Sequence, residues 1–468
     1  MVFSDLDFLF LFLPLAAILY FPIKNLVWRN SVLLTFSLIF YAWGEPRRIF
    51  LMLLASLVAF VGGLLIEKYK NENKKRLCKT TFVVTTVLLV LNLFIFKYLN
   101  FAVDNINLLL PHDITILRIV LPIGISFYTF QILSYVFDLY LGNVKVQKNY
   151  FYLTLYVTFF PQLIAGPIVR YQTVEEEIHE RCSTLEGISN GLRRFIRGLA
   201  KKLLIANNVA VICETIYAGD PQIFGTSLYW LAAIAYSLQL YFDFSGYSDM
   251  AIGLGEIFGF HFLENFNHPY IATSVTDFWR RWHISLSSWF RDYIYIPLGG
   301  NRVSKGRHIL NIMAVWGLTG FWHGAQWNFI LWGLYYGILL LVEKFLLAKL
   351  LKNLPKFFGW LYTMFFVIIG WVLFNLTDFS VLANALRIMF TAVPTNYAQI
   401  LATSGDKLFE LCFIPVAIIF MFPIRKCFSR FNGATSVAFA NLLHLVLFAV
   451  CIIFSISSSY NPFIYFRF

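Results

Sequence analysis

The sequence predicts an all-α protein that crosses a membrane many times. Of its 468 residues, 59% are hydrophobic and only 13% are charged. Soluble globular domains carry about 25% charged residues, and the mean hydropathy of this chain is +0.69. Because core volume grows too slowly with chain length, a water-soluble fold cannot bury this much apolar surface. A bilayer removes the difficulty, since it is itself an apolar solvent.

A spanning helix needs about 20 predominantly apolar residues. Roughly eleven stretches meet or approach this length, and the shorter ones require tilt or burial within the bundle. They are Leu6–Ile23, Ser31–Trp43, Phe50–Ile66, Thr80–Leu99, Ile119–Leu141, Leu203–Tyr217, Leu228–Phe244, Trp327–Val342, Phe357–Phe374, Leu408–Phe422 and Val437–Ile456. The first run lacks a preceding basic region, so we expect a retained span rather than a signal peptide. With no linker or internal repeat, residues 1–468 are predicted to form a single transmembrane domain.

Three further apolar stretches contain or adjoin Gly, Pro and polar residues. They are Phe151–Gly166, Ile284–Leu298 and Leu310–Phe321. Irregular backbone at membrane depth is tolerated only where protein or a water-filled cavity covers it. We therefore expect these stretches to be re-entrant or interfacial segments that line a cavity.

The basic residues indicate topology rather than nucleic-acid binding. The net charge is +12, and the basic residues cluster between apolar runs, as the positive-inside rule requires. The basic loop Glu67–Lys79 is predicted to be cytoplasmic. Three predicted spans precede this loop, which places the N-terminus outside. Counting forward puts Lys344–Lys356 inside and the C-terminus outside.

Several kinds of chemistry lack their sequence patterns. The six cysteines form no Cys-x-x-Cys pair, so we expect neither a disulfide framework nor a zinc site. There is no Walker A sequence and no H-E-x-x-H helix. We therefore expect no metal ligand set. The remaining candidates for chemistry are histidines and acidic residues within or beside apolar runs.

His323 is the strongest of these candidates. It lies in Gly320–Ala325, among aromatic residues and directly before an apolar run. An ionisable group at membrane depth is costly unless it lines a cavity or has a partner. Imidazole also has the pKa best suited to proton transfer near neutral pH. On residue types alone, a catalytic His323 and a packed, hydrogen-bonded His323 stay equally open.

His283 lies in a basic, aromatic segment that begins at Asp277. Arg280, Arg281 and Arg291 surround it, and an interfacial belt of snorkelling arginines explains them without any ligand. Asp277 precedes the run as a potential helix cap. The alternative is that these arginines bind the phosphates of a donor such as coenzyme A.

Asp243 and Asp249 bracket the aromatic segment Tyr241–Asp249. Paired carboxylates in a membrane protein occur in ion pathways, and they also anchor buried polar networks. The surrounding aromatic residues favour the buried network.

Two of these segments together resemble the membrane-bound O-acyltransferase family. They are Phe278–Arg302, which reads FWRRWHISLSSWFRDYIYIPLGGNR, and Gly320–Gly324, which reads GFWHG. The resemblance extends to MVFS at the start, to PQLIAGP at Pro161–Pro167 and to YFDFSGYSD at Tyr241–Asp249. Within the family, Ile296–Arg302 (IPLGGNR) is similar to the bacterial polysaccharide O-acetyltransferase branch that acts on alginate and peptidoglycan. The branch that D-alanylates teichoic acid usually lacks this continuation.

The resemblance implies a fold, a site and a reaction. The fold is a ring of tilted helices around a central tunnel, in a bacterial cytoplasmic membrane. His323 occupies the position of the family's catalytic histidine and His283 that of its second histidine. A thioester donor, here expected to be acetyl-CoA, enters from the cytoplasm as a substrate, and no cofactor is permanently bound. His323 then acts as general base on an acceptor hydroxyl, or forms acetyl-histidine, while His283 or its neighbours orient the donor or stabilise the oxyanion.

The C-terminal sequence NPFIYFRF adds a further expectation from the resemblance. An aromatic belt at the membrane interface explains it without any chemistry. In related D-alanylation systems a small partner ends in a similar motif whose tyrosine carries the acyl group. By that resemblance, Tyr465 receives acetyl and passes it to an extracytoplasmic SGNH-type acetyltransferase, which modifies a polysaccharide.

Two other functions stay open at this point. The first is D-alanyl transfer to teichoic acid, against which the segment Ile296–Arg302 argues. The second is a non-catalytic polymer transporter or scaffold. Transporters often contain repeated halves with matching broken helices, and this sequence has no such symmetry. We expect membrane lipid and a polysaccharide as the other partners, and no nucleic acid.

Overall fold

A computed structural model describes residues 1–404, 407–423, 434–457 and 463–464 of the chain. Within these ranges the regular structure is entirely helical, which confirms the predicted all-α class. The chain divides into two compact units, Met1–Phe195 with Ser248–Glu264, and Ile196–Tyr247 with Asn265–Phe468. The prediction of a single domain stays a prediction.

The first unit is built mainly from the N-terminal helices. They are α1 (Phe8–Tyr20), α2 (Leu26–Gly44), α3 (Ile49–Asn71), α4 (Lys75–Asn107), α5 (Ile125–Leu141), α6 (Tyr150–Thr158), α7 (Phe160–Leu163), α8 (Tyr171–His179) and most of α9 (Leu185–Ala200). Helix α3 packs against α4 and α5, and α2 packs against α6.

The second unit carries the segments that matter most for the site. After a π-helical turn at Lys201–Ala206 come α10 (Asn207–Ala218), α11 (Pro221–Ile257, to Tyr247), α12 (Val275–Arg281), α13 (Ile284–Phe290), α14 (Lys305–His323), α15 (Trp327–Asn353), α16 (Lys356–Asn375), α17 (Phe379–Met389), α18 (Tyr397–Ser404), α19 (Phe409–Met421) and α20 (Ala434–Ser457). Helices α14 and α15 form an antiparallel hairpin, and α15 also packs against α16.

Seven of the described helices are long and apolar enough to cross a bilayer, which confirms a polytopic membrane protein. They are α2, α3, α4, α11, α15, α16 and residues Ala438–Ser457 of α20. The predicted spans Leu6–Ile23, Ile119–Leu141, Leu203–Tyr217 and Leu408–Phe422 coincide with shorter helices. The total of roughly eleven spans therefore stays a prediction.

Two of the three stretches predicted to be irregular are irregular. Phe151–Gly166 breaks at Phe159, which separates α6 from α7 with extended backbone. Ile284–Leu298 contains only the short helix α13, followed by a π-helical turn at Arg291–Tyr295. In both stretches most side chains are buried or half-buried, as the covering rule for irregular membrane backbone requires.

Two sequence predictions need correction. Helix α5 does not begin at Ile119, because Gly124 adopts a left-handed φ of 73° directly before the helix. Leu310–Phe321 is not irregular, since it lies within the continuous helix α14. One of its two glycines serves helix packing instead, because a Cβ atom on Gly320 would lie 3.2 Å from the Cα atom of Gly333 in α15. Small residues allow such close helix approach in membranes.

An aromatic cluster joins α12, α15 and α16. The ring of Trp279 in α12 lies 4.8 Å from Tyr336 and 5.5 Å from Trp332, both in α15 and both edge to face. Trp332 in turn lies 5.3 Å from Phe374 of α16. Between helices in lipid there is little hydrophobic driving force, so close packing of this kind supplies much of the association.

A buried carboxylate fixes the start of α12. Glu343, which is 3% exposed, accepts hydrogen bonds from the backbone N–H of Val275 at 2.5 Å and of Thr276 at 2.9 Å. It also accepts from the Thr276 hydroxyl at 2.7 Å. The first N–H groups of a helix have no partner within the helix, and they attract negative charge. Glu343 of α15 therefore holds the segment that leads to His283.

We predict that Glu343→Gln loosens α12 while the chain still folds. Glutamine has the same size, but its NH₂ group would face an N–H donor, and each lost hydrogen bond to a charged group costs about 2 kcal/mol. Hydrogen exchange of Val275–Arg281 in lipid nanodiscs should become faster. Asp378→Asn is the matched control, because Asp378 caps the exposed start of α17 and asparagine caps equally well. Unchanged exchange in Glu343→Gln would contradict this role.

Candidate active site

A cavity of about 890 Å³ lies in the second unit, between α12, α13, α14 and α15. Its size suits a small-molecule ligand, since such sites occupy roughly 300–1,000 Å³. Aromatic side chains form much of its wall, including Trp279, Trp282, Trp316 and Phe290. Both histidines that the sequence singled out also line it. No group of three or more His, Cys, Asp or Glu side chains comes together among the residues that the structure describes.

His323 is the last residue of α14 and is 5% exposed. The helix ends there because Gly324 is extended. Edge-to-face contacts hold the imidazole, with Trp332 at 5.0 Å and Phe374 at 5.2 Å. His323 thus reaches the cavity wall from the C-terminal end of α14.

His283 sits between α12 and α13 in an uncommon backbone conformation. Its φ of 44° and ψ of 55° lie in the left-handed region, which non-glycine residues seldom occupy. The side chain is 1% exposed, and burial lowers its pKa to about 3. Such a ring is neutral at physiological pH, so it acts through hydrogen bonds rather than through charge.

The oxygen of Asn265 selects the tautomer of His283. Nδ1 of His283 lies 3.1 Å from Oδ1 of Asn265. The same oxygen accepts the Ser285 backbone N–H at 3.2 Å and the Ser285 hydroxyl at 2.9 Å. An oxygen that already receives these donors is an acceptor for Nδ1–H as well. Nε2 of the neutral ring is therefore the nitrogen with a lone pair.

The structure brings the two histidines to the same cavity through a shared neighbour. The ring of Trp322 lies 5.9 Å from His283 and 5.0 Å from His323. Sequence reasoning found both histidines but missed Asn265 and Ser285. Asn265 is fully buried, and its only signal in the sequence is a polar residue between two aromatic segments.

Basic side chains also line the cavity, and they only partly match the predicted arginines. Arg280 and Arg291 are lining residues, together with Lys344 and Lys352. Arg281 is not among the described lining residues, because its guanidinium binds the Asp277 carboxylate at 3.0 Å. The two lysines were missed as site residues. Their spacing of two helical turns along α15 was the available signal.

The acidic residues of Tyr241–Asp249 form ion pairs, as the buried-network interpretation expected. In the second unit, Asp243 binds the Lys202 ammonium at 2.6 Å. In the first unit, Asp249 binds the Arg194 guanidinium at 2.9 Å. Tyr465, the predicted acyl carrier, lies outside the described residues.

Comparison with known proteins identifies the family to which this chain belongs. The profile of the membrane-bound O-acyltransferase family matches residues 143–384. The chain is 37% identical to a probable alginate O-acetylase of Azotobacter vinelandii, over the whole of both chains. It is 36% identical to a peptidoglycan O-acetyltransferase of Helicobacter pylori, over 85% of this chain and 80% of the relative. It is 31% identical to a teichoic acid D-alanyltransferase of Bacillus subtilis, over 60% of this chain and 72% of the relative.

The family match covers α6 to α16 and the first part of α17, and so includes both histidines, Asn265, Glu343 and the cavity. The full-length relative extends the similarity over the rest of the chain. The chain belongs to the membrane-bound O-acyltransferase family, and it is an acyltransferase.

Proposed function

We propose that this enzyme is an O-acetyltransferase that takes acetyl from acetyl-CoA in the cytoplasm and passes it outward for O-acetylation of a cell-surface or exported polysaccharide. The observation that carries the proposal is a single cavity with two buried histidines and several basic side chains. The names of the relatives from Azotobacter vinelandii and Helicobacter pylori support acetyl as the group and a polysaccharide as the acceptor.

The basic residues support entry of the acyl donor from one particular side of the membrane. Arg280, Arg291, Lys344 and Lys352 supply positive charge at the cavity, and the phosphates of coenzyme A are strong partners for such groups. The positive-inside rule assigns the lysine-rich end of α15 to the cytoplasm. The donor therefore enters from the cytoplasm of a bacterial cell, and both termini lie outside the cytoplasmic membrane.

His323 is the general base of the proposed reaction. It takes the proton from an acceptor hydroxyl, whose oxygen then attacks the thioester carbonyl carbon. When the tetrahedral intermediate collapses, the C–S bond breaks and the thiolate of coenzyme A takes the proton back from the imidazolium. A covalent acetyl-histidine is the alternative route through the same residue.

His283 has a different part in this proposal. With Nδ1–H bonded to Asn265, its Nε2 is an acceptor and does not donate to an oxyanion. We propose that His283 orients either an N–H group of the acyl donor or the hydroxyl group of the acyl acceptor. The family resemblance left two roles open for His283, orientation of the donor and stabilisation of the oxyanion. The hydrogen bond to Asn265 supports orientation.

The acetyl group leaves through the C-terminal tyrosine. The phenolic oxygen of Tyr465 attacks the thioester, its proton passes by way of His323 to the departing thiol, and an aryl acetate remains. An aryl ester is activated relative to an alkyl ester, so it is a suitable donor for an extracytoplasmic SGNH-type acetyltransferase. That partner completes transfer to the polysaccharide.

D-alanyl transfer is the second candidate, because the Bacillus subtilis relative carries that name. It uses a thioester on a carrier protein instead of coenzyme A. Membership of an acyltransferase family argues against the transporter or scaffold alternative. A direct comparison of acetyl-CoA with a D-alanyl carrier thioester separates the two remaining donors.

We predict that His323→Ala lowers thioester turnover at least about 100-fold, the usual loss on removal of a general base. The measurement is loss of thioester from acetyl-radiolabelled acetyl-CoA, with the protein in lipid nanodiscs. His444→Ala is the matched control, because His444 lies on a membrane helix and bonds only locally to the Ala440 carbonyl among its described contacts. Turnover by His323→Ala within threefold of the unmodified protein would remove the general-base role.

We predict that Arg280→Gln and Lys352→Gln each raise the KM for acetyl-CoA about tenfold, equivalent to about 1.4 kcal/mol, with little change in kcat. Neither variant should affect turnover of an acetyl-pantetheine thioester, because this donor lacks the nucleotide phosphates. Lys349→Gln is the control, since Lys349 is exposed on the same helix as Lys352. Equal effects on both donors would contradict phosphate binding.

We predict that Tyr465→Phe abolishes acetyl labelling of the protein and polymer acetylation in cells. Phenylalanine keeps the aromatic ring but lacks the oxygen that would carry acetyl. Tyr460→Phe in the same tail is the matched control and should retain both signals. Normal polymer acetylation in cells that produce Tyr465→Phe would show that another group carries the acetyl.

A further inference from the structure

A buried ion pair holds the C-terminal segment of the chain. The backbone N–H of Ile464 donates to Oδ2 of Asp243 at 2.8 Å. The other carboxylate oxygen of Asp243 lies 2.6 Å from Nζ of Lys202. Asp243, Lys202 and Ile464 are 1%, 6% and 4% exposed, so water contributes little to this group. One carboxylate thus serves two partners, and one of them is the tail.

Phe463, in the same C-terminal segment, packs against aromatic side chains beside His283. The ring of Phe463 lies 4.8 Å from Tyr247 and 5.9 Å from Phe244. Phe244 stands edge-on to the imidazole of His283 at 4.7 Å. A single aromatic ring therefore lies between the C-terminal segment and a histidine of the cavity wall.

Helix packing alone does not explain why an ion pair, rather than apolar side chains, contacts the C-terminal segment. A buried ion pair gains little stability over apolar side chains of similar volume, because both charges lose their hydration. A carboxylate is, however, a stronger acceptor for a backbone N–H than any neutral group. Asp243 pairs with Lys202 through one oxygen and accepts the backbone N–H of Ile464 through the other, so the contact fixes backbone as well as side chain.

We propose that Asp243, paired with Lys202, is a positioning residue that docks the C-terminal segment beside His283. Its purpose rests on the proposed function, in which Tyr465, the residue that follows Ile464 in the sequence, carries the acetyl group. The hydrogen bond from Ile464 to Asp243 fixes the residue that precedes this tyrosine. It makes no covalent step of its own.

The docking itself is tested with a cysteine reporter. Ile464→Cys keeps both the backbone N–H and the neighbouring Phe463, in a chain whose six native cysteines are replaced by serine. The rate of modification by a maleimide-polyethylene glycol reports exposure of residue 464. Leu108→Cys controls for the reagent, because Leu108 is 83% exposed and should react at one rate in every background.

We predict that Asp243→Asn speeds modification of the residue-464 reporter at least about tenfold, a change of about 1.4 kcal/mol in docking. Asp243 uses one oxygen for the Lys202 ammonium and the other for the Ile464 N–H. In asparagine one of these oxygens becomes an NH₂ donor, which repels whichever of the two donors it faces. The double variant Asp243→Asn/Lys202→Met should restore most of the protection, because its amide oxygen then faces only the tail. If the single variant folds poorly, the double variant and Lys202→Met alone still decide the question.

Acetyl transfer is then followed in the same variants. We expect Asp243→Asn to lose labelling of the tail together with most thioester turnover, because the acceptor tyrosine is no longer positioned, and the double variant to regain both. Unchanged protection of residue 464 in Asp243→Asn would contradict docking by Asp243. Lost protection with full acetyl labelling would contradict the positioning role of Asp243. If the unmodified protein turns over no acetyl-CoA, the proposed function fails, whereas protection that depends on Asp243 still supports the docking.

Discussion

The structure depends on finding partners for buried polar groups in a place where water is scarce. In lipid, apolar packing between helices has no strong hydrophobic driving force, and an unpaired polar group is costly. Glu343, Asn265 and Asp243 meet this constraint in the same manner. Each is buried, and each accepts hydrogen bonds from backbone N–H groups of an irregular or short segment. The buried acceptors thereby fix segments that helix geometry alone leaves undetermined.

The candidate active site follows from this arrangement. Glu343 fixes the start of α12, and Asn265 fixes the turn after it through Ser285 and His283. The left-handed backbone at His283 is sustained because hydrogen bonds and aromatic contacts surround it on both sides. Strained backbone of this kind persists where its surroundings over-determine it, and it often marks functional positions.

The sequence predicted the membrane class and both histidines. Apolar runs and the ionisable residues beside them can be recognised without knowledge of which distant residues contact each other. Prediction failed where the outcome depends on a distant partner. Gly320 in Leu310–Phe321 contributed to the prediction of an irregular segment, although its closeness to Gly333 makes it a packing residue. Likewise nothing local shows that Glu343 caps a helix far from it in sequence.

The surroundings of the two histidines differ, and the difference supports the separate roles that we propose for them. His323 ends α14 and is enclosed by aromatic rings, whereas His283 is hydrogen-bonded through Nδ1 to Asn265, and burial lowers its pKa to about 3. A general base must gain a proton during the reaction, and a positioning group must not. Exchanging the proposed roles would place the transient positive charge on His283, whose burial opposes it. This argument rests on the surroundings of His283 and does not use the family resemblance.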